Sequence, residues 1–189
     1  MTDGQGTGGL SGTNYSGTIS ECYAMGDVSG WNNVGGLTGW TAMSPDFLDS
    51  YATGDVSGNE GVGGLVGLLQ GSIVDCFTAG RVTGVSDVGG LVGDMWYGAY
   101  TACFWDSDIN PDVNGIGNAT DPNVIGKSTA EMQKESTFTD WDFIEIWNIG
   151  ENQTYPYLRV YPAGDLNYDG VVNLPDFAIF AEHWLAGVE

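Results

Sequence analysis

Gly35-Gly36-Leu37-Thr38-Gly39 occurs four times with only its fourth residue changed. It appears upstream as Gly8-Gly9-Leu10-Ser11-Gly12, and downstream as Gly63-Gly64-Leu65-Val66-Gly67 and Gly89-Gly90-Leu91-Val92-Gly93. Successive copies are spaced by 27, 28 and 26 residues. Two further marks keep the same register. Gly26-Asp27-Val28-Ser29-Gly30 is matched by Gly54-Asp55-Val56-Ser57-Gly58 and Gly80-Arg81-Val82-Thr83-Gly84. Ahead of them stand Cys22-Tyr23-Ala24, Ser50-Tyr51-Ala52, Cys76-Phe77-Thr78 and Cys103-Phe104-Trp105. Three markers in step over four units define a repeat protein.

The unit is β and not helical. Glycine interrupts its apolar stretches, and apolar residues do not recur at helical spacing. Alternation holds instead: Cys22, Ala24, Gly26 and Val28 share one parity, and Tyr23, Met25, Asp27 and Ser29 the other. Asp27, Asp55 and Arg81 occupy one slot that must face water, so the small and aliphatic set faces inward. A unit this short cannot bury its own apolar face, so units stack about 4.8 Å apart. The expected fold is all-β, a parallel β-solenoid of about four coils, with glycines at corners where φ is positive.

That register places Cys22, Ser50, Cys76 and Cys103 in one inward column. Cys22 and Cys76 lie two rungs apart, about 9.6 Å, which is too far for a disulfide. A Cys76–Cys103 bridge stays open beside a simple column of buried small side chains. Tyr23, Tyr51, Phe77 and Phe104 form an outward column, either covered by other parts of the chain or exposed to a partner or a glycan.

Composition limits the partners. Among 189 residues, 25 Asp and Glu face 4 Lys and Arg, a net charge of −21. Such a chain repels nucleic acid and anionic membrane surfaces and suits cations taken by hard oxygen ligands. Hydrophobic residues at 42% are enough for a core, yet no window is long and apolar enough for a membrane helix. Met1-Thr2-Asp3-Gly4 is not a secretory signal, which suggests a processed piece of a longer product.

Gly-Gly-Leu-x-Gly with Cys-Tyr-Ala-x-Gly-x-Val-Ser-Gly resembles the GLUG repeat of bacterial surface proteins, over about residues 8 to 105. Phe104-Trp105-Asp106, Gly126-Lys127-Ser128-Thr129-Ala130-Glu131-Met132, Trp141-Asp142-Phe143 and Tyr155-Pro156-Tyr157-Leu158 look like the segment that closes such arrays. The resemblance implies an extracellular or cell-surface setting and brings no catalytic residue with it.

Three regions follow: 1–105 the solenoid, 106–163 a small mixed cap, and 164–189 an appended calcium segment. Within the cap, 106–127 is loop-like, and Ser128-x-x-Glu131 has the spacing of a capping box opening a short helix. Residues 141–149 and 157–161 read as strands.

Asp165-Leu166-Asn167-Tyr168-Asp169-Gly170-Val171-Val172-Asn173-Leu174-Pro175-Asp176 carries the clearest chemistry. Asp165, Asn167, Asp169, Asn173 and Asp176 place oxygens at calcium-loop positions 1, 3, 5, 9 and 12. Gly170 stands at the sharp turn, and Val171 offers a carbonyl. Ca²⁺ is therefore the expected cofactor. The loop resembles one half of a type I dockerin, a family built from two such segments. The helix after it repeats Phe177, Phe180, Ala181, Trp184 and Leu185 on one face, so Phe177, Phe180 and Trp184 are candidate partner contacts.

Residues 1 to 7 read as the end of a coil, so the first full coil lacks a visible cap. An open first coil and an apolar terminal helix suggest head-to-tail stacking of copies into a fibre or surface array. The alternative is an attachment module docking a cohesin-like surface protein or a glycan. A polysaccharide-active enzyme is the remote reading, because Arg81, Lys127, Lys134 and Arg159 are scattered and His183 is the only histidine. Asn14, Asn118 and Asn152 each head a glycosylation acceptor pattern.

Overall fold

The computed structural model describes residues 6–160, 166 and 172–186, the side chains of 182–186 excepted. Residues 1–156 form one compact unit and 157–189 another.

The first unit is a β-solenoid of about four turns built from parallel ladders. Gly8 pairs with Gly35, Gly35 with Gly63, Gly63 with Gly89, and Gly89 with Asn114. Ile19, Phe47, Ile73 and Tyr100 form a second column, Tyr23, Tyr51, Phe77 and Phe104 a third, and Val28, Val56 and Val82 a fourth. Two apolar columns fill the interior. Leu37, Leu65 and Leu91 belong to the larger, and Val28, Val34, Val56, Val62 and Val82 to the smaller. The predicted parity holds: Val28 is buried while Tyr23, Met25, Asp27 and Ser29 are exposed.

Glycine acts differently from expectation. Positive φ at the corners falls on Glu21, Asp49, Asp75 and Ala102, one per coil, with φ of 51°, 46°, 52° and 47°. A second such ladder is Asn33, Gly61 and Asp87. The repeated glycines instead permit close approach. A Cβ on Gly35, Gly63 or Gly89 would strike the backbone carbonyl three residues on, with a backbone atom of the following coil 2.7, 2.5 and 2.7 Å away.

Outward polar side chains stitch the coils together. The Asp55 backbone N–H donates to Asp27 Oδ1 at 2.9 Å, and that of Arg81 donates to Asp55 Oδ1 at 2.9 Å. Asn110 takes the next place: its Oδ1 accepts from Val82 N–H at 2.8 Å, and its Nδ2 donates to the Gly80 carbonyl at 2.9 Å.

Residues 106–127 are more ordered than their loop-like composition suggests. Asn114–Ile116 pairs with the fourth coil, and Val124–Lys127 pairs with Cys103–Asp106, adding a partial fifth rung. The helix Thr129–Met132 carries the expected capping box between Ser128 and Glu131. The strand expected over 141–149 shrinks to Trp147–Asn148. Asp142 Oδ1 accepts from the backbone N–H groups of Ile144 and Glu145, both at 2.9 Å, and this local turn outcompetes extension. In the second unit, Tyr157–Leu158 is a short strand and Leu174–Ala186 is the helix.

Candidate functional site

The outward aromatic column is formed and largely covered. Tyr23 stacks on Tyr51 at 5.2 Å, and Tyr51 on Phe77 at 5.0 Å. Phe138, Trp141, Trp147 and Tyr155 lie 6.1–6.3 Å from Phe77, and Phe138 is 5.0 Å from Phe104. Tyr51, Phe77 and Phe104 are buried in consequence, and of the column only Tyr23, 48% exposed, is open to a partner. Phe138, Trp141, Trp147 and Tyr155 of the cap region thus pack along this side of the solenoid. Asp106, fully buried, pins that region: Oδ2 accepts from the hydroxyls of Thr129 and Tyr155, both at 2.7 Å, while Oδ1 takes the backbone N–H groups of Asp108 and Ile109. Burial and the Asp106 carboxylate push the Tyr155 phenol up to about 12.

The three cysteines are free thiols. Burial raises the thiols of both Cys76 and Cys103, the latter to about 12. Held protonated, they are poor nucleophiles and metal ligands.

The left-handed corners place Glu21, Asp49 and Asp75 on successive rungs. Trp147 Nε1 donates to Asp49 Oδ1 at 3.0 Å. Burial, then the charges of Asp49 and Asp140, lift Asp75 to about 6; Asp49 is raised too, chiefly by burial. A carboxyl raised in the fold stabilises fully below its ordinary value of 3.8, and that stabilisation is lost as pH rises through about 6. The protein is therefore expected to melt higher at pH 5 than at pH 7.5. Asp75→Asn, which suits the left-handed corner, should raise the pH 7.5 midpoint by about 2 °C and flatten that slope in calorimetry.

The two ends of the solenoid differ. At the last coil, Trp105 turns inward in the column that holds Ala24, Ala52 and Thr78 on earlier rungs. It is 7% exposed and plugs the lumen. A Cβ on Gly90 would lie 2.5 Å from its ring, and one on Gly115 or Gly126 would lie 2.9 Å away. Asn118 closes the edge as Asn110 does: its Oδ1 accepts from Met95 N–H at 3.0 Å, and its Nδ2 donates to the Met95 carbonyl at 3.2 Å. Each amide side chain imitates the peptide group of a missing strand. Nothing in the sequence pattern singled out Asn110, and Asn118 stood out only as the head of a glycosylation acceptor pattern.

At the first coil, Leu10 is 49% exposed, whereas Leu37, Leu65 and Leu91 in its column are fully buried. Among the described residues, no strand pairs with the free edges of Thr7–Gly8, Ser11–Asn14, Ile19–Ser20, Tyr23–Ala24 or Val28–Ser29. A Cβ on Gly54 would sit on the Gly26 carbonyl, and one on Gly80 on that of Gly54, but one on Gly26 meets nothing within 4 Å. Among the described residues nothing covers that side of the first coil.

Of the calcium-loop residues, Asp165, Asn167, Asp169 and Val171 lie outside the described residues, as does the Trp184 side chain. Asp176 is 2% exposed; its Oδ1 accepts from Leu166 N–H at 2.7 Å and its Oδ2 from Asn173 N–H at 2.8 Å. Phe177 and Phe180 are 64% and 48% exposed and line a small groove with Leu166 and Val172. Of the glycosylation candidates, Asn14 spends its amide on Gly17 and Asn118 on Met95, while Asn152 lies on an exposed turn at φ 59°.

No family profile matches the chain, and no solved structure matches it. It is similar to a protein of Evansella cellulosilytica named "Putative Gly-rich membrane protein", with 35% identity over 173 residues. The match covers 87% of this chain and 13% of that protein. No described helix is long and apolar enough to cross a membrane.

Proposed function

We propose that the chain is a non-catalytic structural or adhesive module of an extracellular or cell-surface protein, extended by stacking a further coil of its own repeat on its first coil. The open first coil carries this reading: half-exposed Leu10, free strand edges and the unobstructed Gly26 complement a coil of the same kind. Stacking between separate copies would use that same edge. The GLUG-like repeat and the likeness to a Gly-rich membrane protein support a surface setting.

In a solenoid, stability is a sum of coil and interface contributions. A copy of residues 33–60 joined ahead of residue 6, which keeps the copy's Val34 28 residues before Thr7 as it stands before Val62, should therefore raise the thermal midpoint by several degrees. Gly26→Val should erase that gain in the extended chain while leaving the original chain's midpoint unchanged. An added coil that stays protease-sensitive and leaves the midpoint where it was would count against stacking.

Ca²⁺ is the proposed ligand of the C-terminal segment, held by Asp165, Asn167, Asp169, Val171, Asn173 and Asp176, all hard oxygen donors. A second reading, attachment through a dockerin-like helix to a cohesin-like partner, draws on the exposure of Phe177 and Phe180.

A further inference from the structure

We propose that the outer face of the fourth coil, at Trp96 and Tyr97, binds a neutral polysaccharide by stacking sugar rings on these two side chains. The inference is independent of coil stacking and concerns a different surface. In a regular strand, neighbouring side chains point to opposite faces. Met95 faces inward and packs on the core, so Trp96 faces out, and Tyr97 would ordinarily turn back in. The register slips here instead: Leu69 pairs with Met95 and Gln70 with Tyr97, leaving Trp96 as an inserted residue. This bulge turns both rings outward, 57% and 49% exposed. Bulges re-aim side chains in this way at sheet edges and functional sites.

Both rings are held. The Tyr97 hydroxyl donates to Gln70 Oε1 at 3.2 Å and meets Ser44 Oγ at 3.4 Å, reaching back over two coils. The Asp94 carboxylate lies beside Trp96 and interacts with its side chain. Rings tethered by their polar groups lose little further freedom when a ligand stacks on them. The core gains nothing from either ring, since Met95 and Tyr100 supply the inward packing of this strand.

The chemistry selects the occupant. The C–H face of a sugar ring is apolar and slightly positive, which complements the negative face of an aromatic ring. Its hydroxyls can donate to the Asp94 carboxylate beside the rings. Asp87 and Glu60 add negative charge around Asp94, so an anionic polysaccharide is repelled. Two half-exposed rings offer far less than the roughly 1,000 Å² that a specific protein interface requires. Repeated along a polymer, modest stacking contacts suffice.

The test is native electrophoresis of the full chain through gels cast with hydroxyethylcellulose, glucomannan or polygalacturonate. Retardation is expected in at least one neutral gel and not in polygalacturonate. Trp96→Ala and Tyr97→Ala should each weaken the apparent affinity at least tenfold with unchanged circular dichroism. Tyr97→Phe, which keeps the ring and loses its tether, should weaken it less. Trp31→Ala, removing an exposed ring elsewhere, should have no effect. No Trp96-dependent retardation in either neutral gel would overturn the proposal. Equal retardation in polygalacturonate, or self-association on ultracentrifugation that Trp96→Ala abolishes, would do the same.

Discussion

Gly63→Ala is expected to cost at least about 4 kcal/mol and to leave the chain unfolded or aggregated at 37 °C. The added methyl would occupy the position of the Val66 carbonyl oxygen, with Gly93 N 2.5 Å and Val92 C 2.9 Å away. These are backbone atoms of its own coil and the next, which no rotamer change can move. Relief therefore requires separating two rungs, and the ladder between them is lost with the packing beneath it. Gly26→Ala is the control. With nothing within 4 Å and no positive φ, it should change stability by less than about 1 kcal/mol. Urea denaturation of both variants, followed by circular dichroism, measures the contrast. A Gly63→Ala protein as stable as the parent would mean that the coils are not stacked in this register.

Trp105→Ala should destabilise by about 3–5 kcal/mol, the range for emptying a large aromatic site in a core. The ring fills a column whose earlier members are Ala24, Ala52 and Thr78, and Gly90, Gly115 and Gly126 leave room for it. Its removal creates a void that these glycines cannot fill. The partial fifth rung, Asn114–Ile116 and Val124–Lys127, should lose its footing first. Hydrogen exchange should show amides of 114–127 losing protection well before those of the second and third coils. Uniform loss along the solenoid would argue that Trp105 is an ordinary core residue and not a terminal plug.

Much of the solenoid could be read before any coordinates. Gly35, Gly63 and Gly89 announced the rung spacing, and the slot shared by Asp27, Asp55 and Arg81 settled which parity faces water. Both signals survive because a repeat forces each side chain to meet its own equivalents, so local identity reports tertiary contact directly. Features outside the repeat were harder. The covering of Tyr51, Phe77 and Phe104 depends on Trp141 and Trp147, which are far off in the chain and carry no periodic signal. The short turn at Asp142 was hidden inside an apolar run that imitates a strand. The bulge at Trp96 is an insertion of one residue, invisible until Leu69 and Gln70 are seen paired with Met95 and Tyr97.

The amino-acid sequence alone determined the parallel stack, its register, its inward columns and the acidic character of the chain. Those properties follow from repetition and composition, which are local and additive. Only the tertiary structure decided which glycines are spatial necessities, that left-handed corners fall on Glu21, Asp49, Asp75 and Ala102, and that the ends are unlike. Each of these depends on what lies across a gap of one rung: a carbonyl, an asparagine amide, a tryptophan ring or open space. Identical residues such as Gly26 and Gly54 differ in what lies against them among the described residues: nothing within 4 Å of a Cβ on Gly26, the Gly26 carbonyl against one on Gly54.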